Sequence, residues 1–206
     1  MLELIIIAAA FGVLLRSLTS LEPATATGTA MAPSRNAARI AQMSEYADRL
    51  YSEKKWLAAE KAYLGVLKLD HKNVTAYVHL GIIYSTQKNL PDAIECFGIA
   101  ARLRPSGVTF QNLGLAYFDN RNYIKSIAAF EKAIMLEPSA TRYVGLSKAQ
   151  NKLKDYAGMT ASLEKAAALE PSKKILTLLL DAYVDAERTA EADAARRRIR
   201  ELERSA

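Results

Sequence analysis

Apolar side chains recur through most of the chain at the spacing i, i+3, i+4, i+7, which sets them on one stripe of a helix. Tyr77, Leu80, Gly81 and Tyr84 form such a stripe, and Phe110, Leu113, Gly114 and Tyr117 repeat it 33 residues later. Each is followed by a second stripe that ends in proline: Ala93, Phe97, Ala100 and Pro105, then Ser126, Phe130, Ala133 and Pro138. Pro105, Pro138 and Pro171 are spaced by 33, and His71 stands at the equivalent place 34 residues before Pro105. Proline cannot continue a helix, so the pattern predicts helices in pairs, each pair closed by its proline.

Looser copies flank the two clear ones. The first carries Met43, Tyr46, Ala47, Leu50, Ala59, Tyr63 and Val66. The fourth has Tyr143, Leu146, Ser147, Ala166 and Pro171, but Gln150 stands at the tyrosine position and Met159 at the small-residue position. The fifth has Leu176, Leu179, Tyr183 and Ala192, with Arg196 at the phenylalanine position. An aromatic-x2-Leu-Gly-x2-Tyr helix, an Ala-x3-Phe helix and a closing proline make the chain resemble the tetratricopeptide repeat family. The resemblance implies an all-α, right-handed solenoid of about five helix-turn-helix repeats, over residues 40–73, 74–106, 107–139, 140–172 and 173–204, the last including a capping helix. One pair cannot bury its own apolar stripe, so neighbours must stack. Gln150 and Met159 make the fourth repeat the expected weak point of that stack.

The first residues follow another pattern. Leu4–Leu15 is a run of twelve residues without a charge. As a helix it would be roughly 18 Å long, against a hydrocarbon core of roughly 30 Å. Extending it through Leu21 reaches the required length, with Arg16 placed to snorkel to the headgroups. Residues 1–21 are therefore expected to be a transmembrane helix or uncleaved signal anchor. No Lys or Arg precedes the run, so the basic region of a signal peptide is missing, although Ala24, Ala26, Gly28 and Ala30 keep a cleaved signal open. A soluble docking helix is the third reading. Arg16, Arg35 and Arg39 all follow the run, which favours cytoplasmic repeats; the alternative is an exported, periplasmic protein. Residues 22–39 read as a flexible linker and helix entry: Glu22–Pro33, rich in Ala, Thr and Pro, is a tether of about 20 Å reach, and Ser34 caps the helix that follows.

Composition narrows the function. A single cysteine, Cys96, excludes a disulfide framework and any multi-cysteine metal site, and two histidines leave little for metal chemistry. The net charge of +6 is spread along the chain, so no nucleic-acid partner is expected. Arg196, Arg197, Arg198 and Arg200 are interleaved with Asp193, Glu201 and Glu203, as on a solvated helix face. Trp56 shares its repeat position with Leu90, Tyr123 and Tyr156 and reads as packing, Cys96 as a structural thiol, and His71 as a turn residue. No phosphate-binding loop, paired metal-binding histidines or nucleophile elbow occurs, so neither catalysis nor a cofactor or metal is expected.

A binding surface is expected on the side of each first helix opposite its stacking stripe, which in the resembled family is the concave side. Those positions hold Tyr51 in the first repeat, Val78, His79 and Ile82 in the second, and Val108, Gln111, Asn112, Leu115 and Phe118 in the third. Lys148 and Asn151 continue the face into the fourth repeat, and Lys174 into the fifth. Apolar anchors beside groups that can hydrogen-bond a backbone suit a protein or peptide partner. Some members of the resembled family clamp a C-terminal carboxylate with Lys and Asn. Of the matching positions here, Ser44, Asp48, His79, Val108 and Asn112, only Asn112 fits, and Asp48 would repel the ligand. The expected function is a membrane-anchored protein-interaction scaffold that binds a partner peptide in this groove, held in the lipid bilayer through residues 1–21. The alternative is an exported, signal-peptide-bearing repeat protein acting as an envelope assembly or chaperone-like accessory factor.

Overall fold

The computed structural model describes residues 34–205, and within them ten α-helices follow one another: α1 Arg35–Ser52, α2 Trp56–Leu69, α3 Val74–Thr86, α4 Leu90–Leu103, α5 Gly107–Asp119, α6 Tyr123–Leu136, α7 Ala140–Lys152, α8 Tyr156–Leu169, α9 Lys173–Asp185 and α10 Thr189–Ser205. Helices adjacent in sequence pack on one another, and α5 also touches α7 across α6. The expected membrane segment and most of the linker lie outside the described residues. Among the described helices none is long and apolar enough to cross a membrane.

Local chemistry sets each boundary. The first helices of the later repeats start at side-chain caps. Asn73 accepts from the Ala76 N–H at 3.0 Å. Ser106 exchanges a capping box with Thr109, and Ser139 and Ser172 cap α7 and α9. These oxygens satisfy N–H groups that have no partner inside the helix. The second helices end at Leu69, Leu103, Leu136 and Leu169, two residues before His71, Pro105, Pro138 and Pro171. The intervening residue is extended in all four cases. A proline disfavours helical backbone in the residue before it. Asp70 adopts the same conformation without a proline, its carboxylate accepting from the Lys72 N–H at 3.0 Å and from the Asn73 amide.

The turn inside each pair carries a feature that the sequence pattern does not announce. Lys54, Lys88, Arg121, Lys154 and Glu187 all have positive φ, between 57° and 63°. The residue after each sends its N–H five residues back, for example Asn122 to the Tyr117 carbonyl at 2.9 Å. This is the left-handed helix ending in which glycine is usual. A side chain there costs about 1 kcal/mol that glycine does not. Arg121→Gly is therefore expected to stabilise the array by up to about 1 kcal/mol, read as a higher urea midpoint; a lower midpoint would show that the arginine makes compensating contacts.

The core is lean. Alanine lines much of it, and each of the first four repeats adds one large side chain from its second helix: Tyr63, Phe97, Phe130 and Leu163. The departures in the fourth repeat offset one another. Met159 is larger than Ala93 or Ser126 at the same position, and Leu163 is smaller than Phe97 or Phe130. Gln150 is buried, and its Oε1 accepts from the Ser162 hydroxyl at 2.8 Å. Between the third and fourth repeats the Arg142 side chain is buried, with Nη2 3.0 Å from Glu137 Oε2. The other oxygen of Glu137 accepts from the Gly107 N–H at 3.2 Å.

Candidate peptide-binding groove

The expected face divides into two neighbourhoods. At the N-terminal end an aromatic cluster fills it. Tyr51 stacks on His79 with ring centroids 4.6 Å apart, and Tyr63 lies 5.0 Å from the same imidazole. Trp56 meets Tyr51 edge-on at 5.5 Å, so it packs, as its repeat position implies. Asp48 Oδ1 accepts a 2.6 Å hydrogen bond from the Tyr63 hydroxyl and lies 3.4 Å from His79 Nδ1, which makes no hydrogen bond of its own. Burial pulls the His79 pKa below its ordinary value, and the Asp48 carboxylate opposes that shift only in part. Burial also raises the hydroxyls of Tyr51 and Tyr63.

The sign of the pH dependence follows. Neutral His79 fits the folded protein better than the cation does, so the unfolded chain binds the proton first as pH falls. Stability from this residue is complete above the unfolded pKa of about 6.5 and is lost as pH drops from there through the lower folded value. His79→Asn, which places here the residue found at the same position in the third repeat, is expected to narrow the stability difference between pH 7.5 and 5.5. Urea melts at the two pH values measure it, and an unchanged difference would mean that His79 titrates normally.

In the middle repeats the expected residues differ in how free they are. Val108 and Leu115 are exposed, whereas Val78, Gln111 and Asn112 are half-buried. Ile82 is half-buried and packs against the core of the second and third repeats, and the Phe118 ring meets Tyr123 at 5.5 Å. This corrects the expectation that stacking leaves Ile82 and Phe118 uncovered: the stripe that stacks is wider than four positions per helix.

Gln111, Leu115 and Lys148 come together in a different setting. They line an open cavity of about 270 Å³ between α5, α7 and α9, with Val144 and Gly145 from α7 and Lys174, Ile175 and Leu178 from α9. Phe130 forms its inner wall, and Glu170 and Ser172 reach it from the turn before α9. Asn151 is exposed, and it does not line the cavity; nor do Tyr51, Val78, His79, Ile82, Val108, Asn112 and Phe118. His79, Asn112, Gly145 and Leu178 occupy the same place in successive repeats, and the fourth, which brings no side chain, leaves the place of its Cβ to the Phe130 ring. The sequence signal was this glycine, which the groove pattern passes over because glycine carries no anchor. Among the described residues no group of three or more His, Cys, Asp or Glu side chains is placed to hold a metal ion. Cys96 is buried, and burial pushes its thiol up to about 11.

Known proteins share this architecture. A crystal structure of MamA superposes with a TM-score of 0.72 at 25% identity, over 77% of this chain and 95% of that one. MamA from Desulfovibrio magneticus RS-1 gives 0.72 at 18% identity, over 81% of this chain and 96% of that one. YrrB, a tetratricopeptide protein described as having an unusual peptide-binding site, gives 0.65 at 17% identity, over 75% of this chain and 81% of that one. None of the curated proteins matches the chain. Residues 109–140 match the tetratricopeptide repeat family model, so the chain carries this repeat within an all-α repeat fold.

Proposed function

We propose that the chain is a protein-interaction scaffold that holds a peptide segment of a partner on the first-helix face of its middle and later repeats. The observation that carries this reading is the open cavity to which three successive first helices contribute, with an apolar inner wall and polar groups at its edge. Peptide sites combine apolar anchor pockets with groups that pair with a backbone, and Gln111 and Ser172 supply such groups here. The peptide-binding site described for YrrB, a protein of the same fold, supports the assignment. The reading is one of binding without catalysis. A thiol raised to about 11 is a poor nucleophile at neutral pH, and the raised tyrosines stay protonated there.

Panning a random peptide library against the full chain tests this. Recovered peptides are expected to lose binding to Leu115→Glu, a change at an exposed position that leaves the thermal melt unaltered. Peptides that bind the variant equally well would place the site elsewhere, and an empty panning would overturn the reading.

Residues 1–21 form the second part of the proposal, a single-pass anchor with the repeats on the cytoplasmic side. The uncharged run Leu4–Leu15 and the arginines that follow it support this. Fractionation of a tagged full chain, with protease added from each side of the membrane, is expected to leave the repeats protected outside and cleaved inside. A mature N-terminus near Ala26 or Ala30 would assign an exported protein instead.

A further inference from the structure

Four features of the cavity between α5, α7 and α9 constrain what it takes. Its volume of about 270 Å³ lies below the roughly 300–1,000 Å³ of sites that enclose a small molecule. That space suits one side chain with the chain outside. The inner wall is apolar: a Cβ placed on Gly145 would come within 2.6 Å of Phe130 Cζ, so the ring lies directly against bare backbone. Two lysines border the cavity, Lys148 and Lys174, and neither forms an ion pair among the described residues. Their neighbour Lys173 differs, being paired with Glu203 at 2.6 Å. One carboxylate, Glu170, stands among the lining residues, so the border carries a net positive charge.

Resting on the groove reading above, we propose that this cavity is a specificity subsite for an acidic peptide segment: an apolar or aromatic side chain enters beside Phe130 and Gly145, and carboxylates flanking it in sequence meet Lys148 and Lys174. The apolar wall rewards desolvation of the anchor. The unpaired ammonium groups attract acidic flanks and repel basic ones. Glu170 acts in the opposite sense, trimming the attraction.

The probes are short fluorescein-labelled synthetic peptides, titrated with the full chain and read by anisotropy. One has a central Phe flanked by Glu, a second has the Phe flanked by Lys, and a third has Ala flanked by Glu. The first is expected to bind at least about tenfold more tightly than either of the others. Lys148→Glu with Lys174→Glu, both at exposed positions, should remove that preference without shifting the melt, and Glu170→Gln should strengthen it. Raising salt from about 0.05 M to about 0.5 M should weaken the acidic probe selectively.

If the Glu-flanked and Lys-flanked probes bind alike, or the double variant binds as the parent does, the subsite proposal is overturned. The groove reading survives that result provided Leu115→Glu still abolishes binding. If no probe and no library peptide binds, both fall together. Sedimentation that shows self-association, removed by the double lysine variant, would assign the cavity to a second copy of the chain. A synthetic peptide of residues 20–33 that displaces the acidic probe would assign it to the chain's own N-terminal segment. Either result overturns the proposal.

Discussion

Phe130→Ala is expected to remove about 3–5 kcal/mol from a repeat array whose whole stability is of the order of 5–15 kcal/mol. The ring is 1% exposed. It lies between two glycines: an added Cβ would fall 3.1 Å from it at Gly114 and within 2.6 Å of its Cζ at Gly145. Neither glycine has a side chain that can relax into the space left by truncation, so the void persists and the cost falls in the upper part of that range. Because α6 sits in the middle of the array, the loss also weakens the nearest-neighbour coupling on which cooperative unfolding depends. Urea unfolding followed by circular dichroism should move to lower denaturant and split into two steps. A loss below about 1 kcal/mol would mean that the flanking helices close over the gap.

Gly81→Ala is the second large effect, and it sets two terms against each other. Alanine in a helix interior is favoured over glycine by about 0.8–1.0 kcal/mol. At Gly81, however, the new methyl would lie 2.6–2.8 Å from three atoms of the Phe97 ring. Phe97 is itself 3% exposed and has no free direction in which to move. Overpacking of this kind costs about 1–3 kcal/mol, so the balance is destabilising. Gly98→Ala is the control. Its nearest neighbour is the flexible end of Arg102 at 3.7 Å, so propensity acts alone and the array should gain about 0.5–1 kcal/mol. Adding Phe97→Leu to Gly81→Ala should recover part of the loss, since residues in contact do not act additively. If Gly81→Ala stabilises as Gly98→Ala does, the close approach to Phe97 is wrong.

The features legible in the sequence are those written in residue types that have few alternatives. Proline is excluded from a helix beyond its first turn, so Pro105, Pro138 and Pro171 mark the ends of α4, α6 and α8. The large residues at Tyr63, Phe97 and Phe130 recur at one place because each fills the same gap between pairs. The left-handed turns at Lys54, Lys88, Arg121, Lys154 and Glu187 were not legible, because the usual mark is glycine and tertiary context here imposes the conformation on charged residues. Arg142 was invisible for a related reason: an arginine on a helix reads as solvated until its carboxylate is found five residues back, across the turn. On the binding side, the facing positions could be counted out from the helical repeat, but their burial could not. Ile82 points partly into the core because the next repeat leans over it, and Gly145, through what it lacks, admits the Phe130 ring to the cavity wall.

The Arg142, Glu137 and Gly107 arrangement has a consequence for assembly order. A chain built of near-copies can dock a helix pair one repeat out of place, since every pair offers a similar stripe. The positions equivalent to Arg142 are Ala76, Thr109 and Ile175, so one junction alone brings a guanidinium between its neighbours. Glu137 travels with Arg142 across the short turn, but displaced by one repeat the pair would meet Val74 where Gly107 stands, and a Cβ at that place would fall 2.7 Å from both Arg142 Cζ and Glu137 Cβ. A buried ion pair and the one glycine that leaves room for it thus number the repeats, and the remaining helix pairs can count outward from that junction.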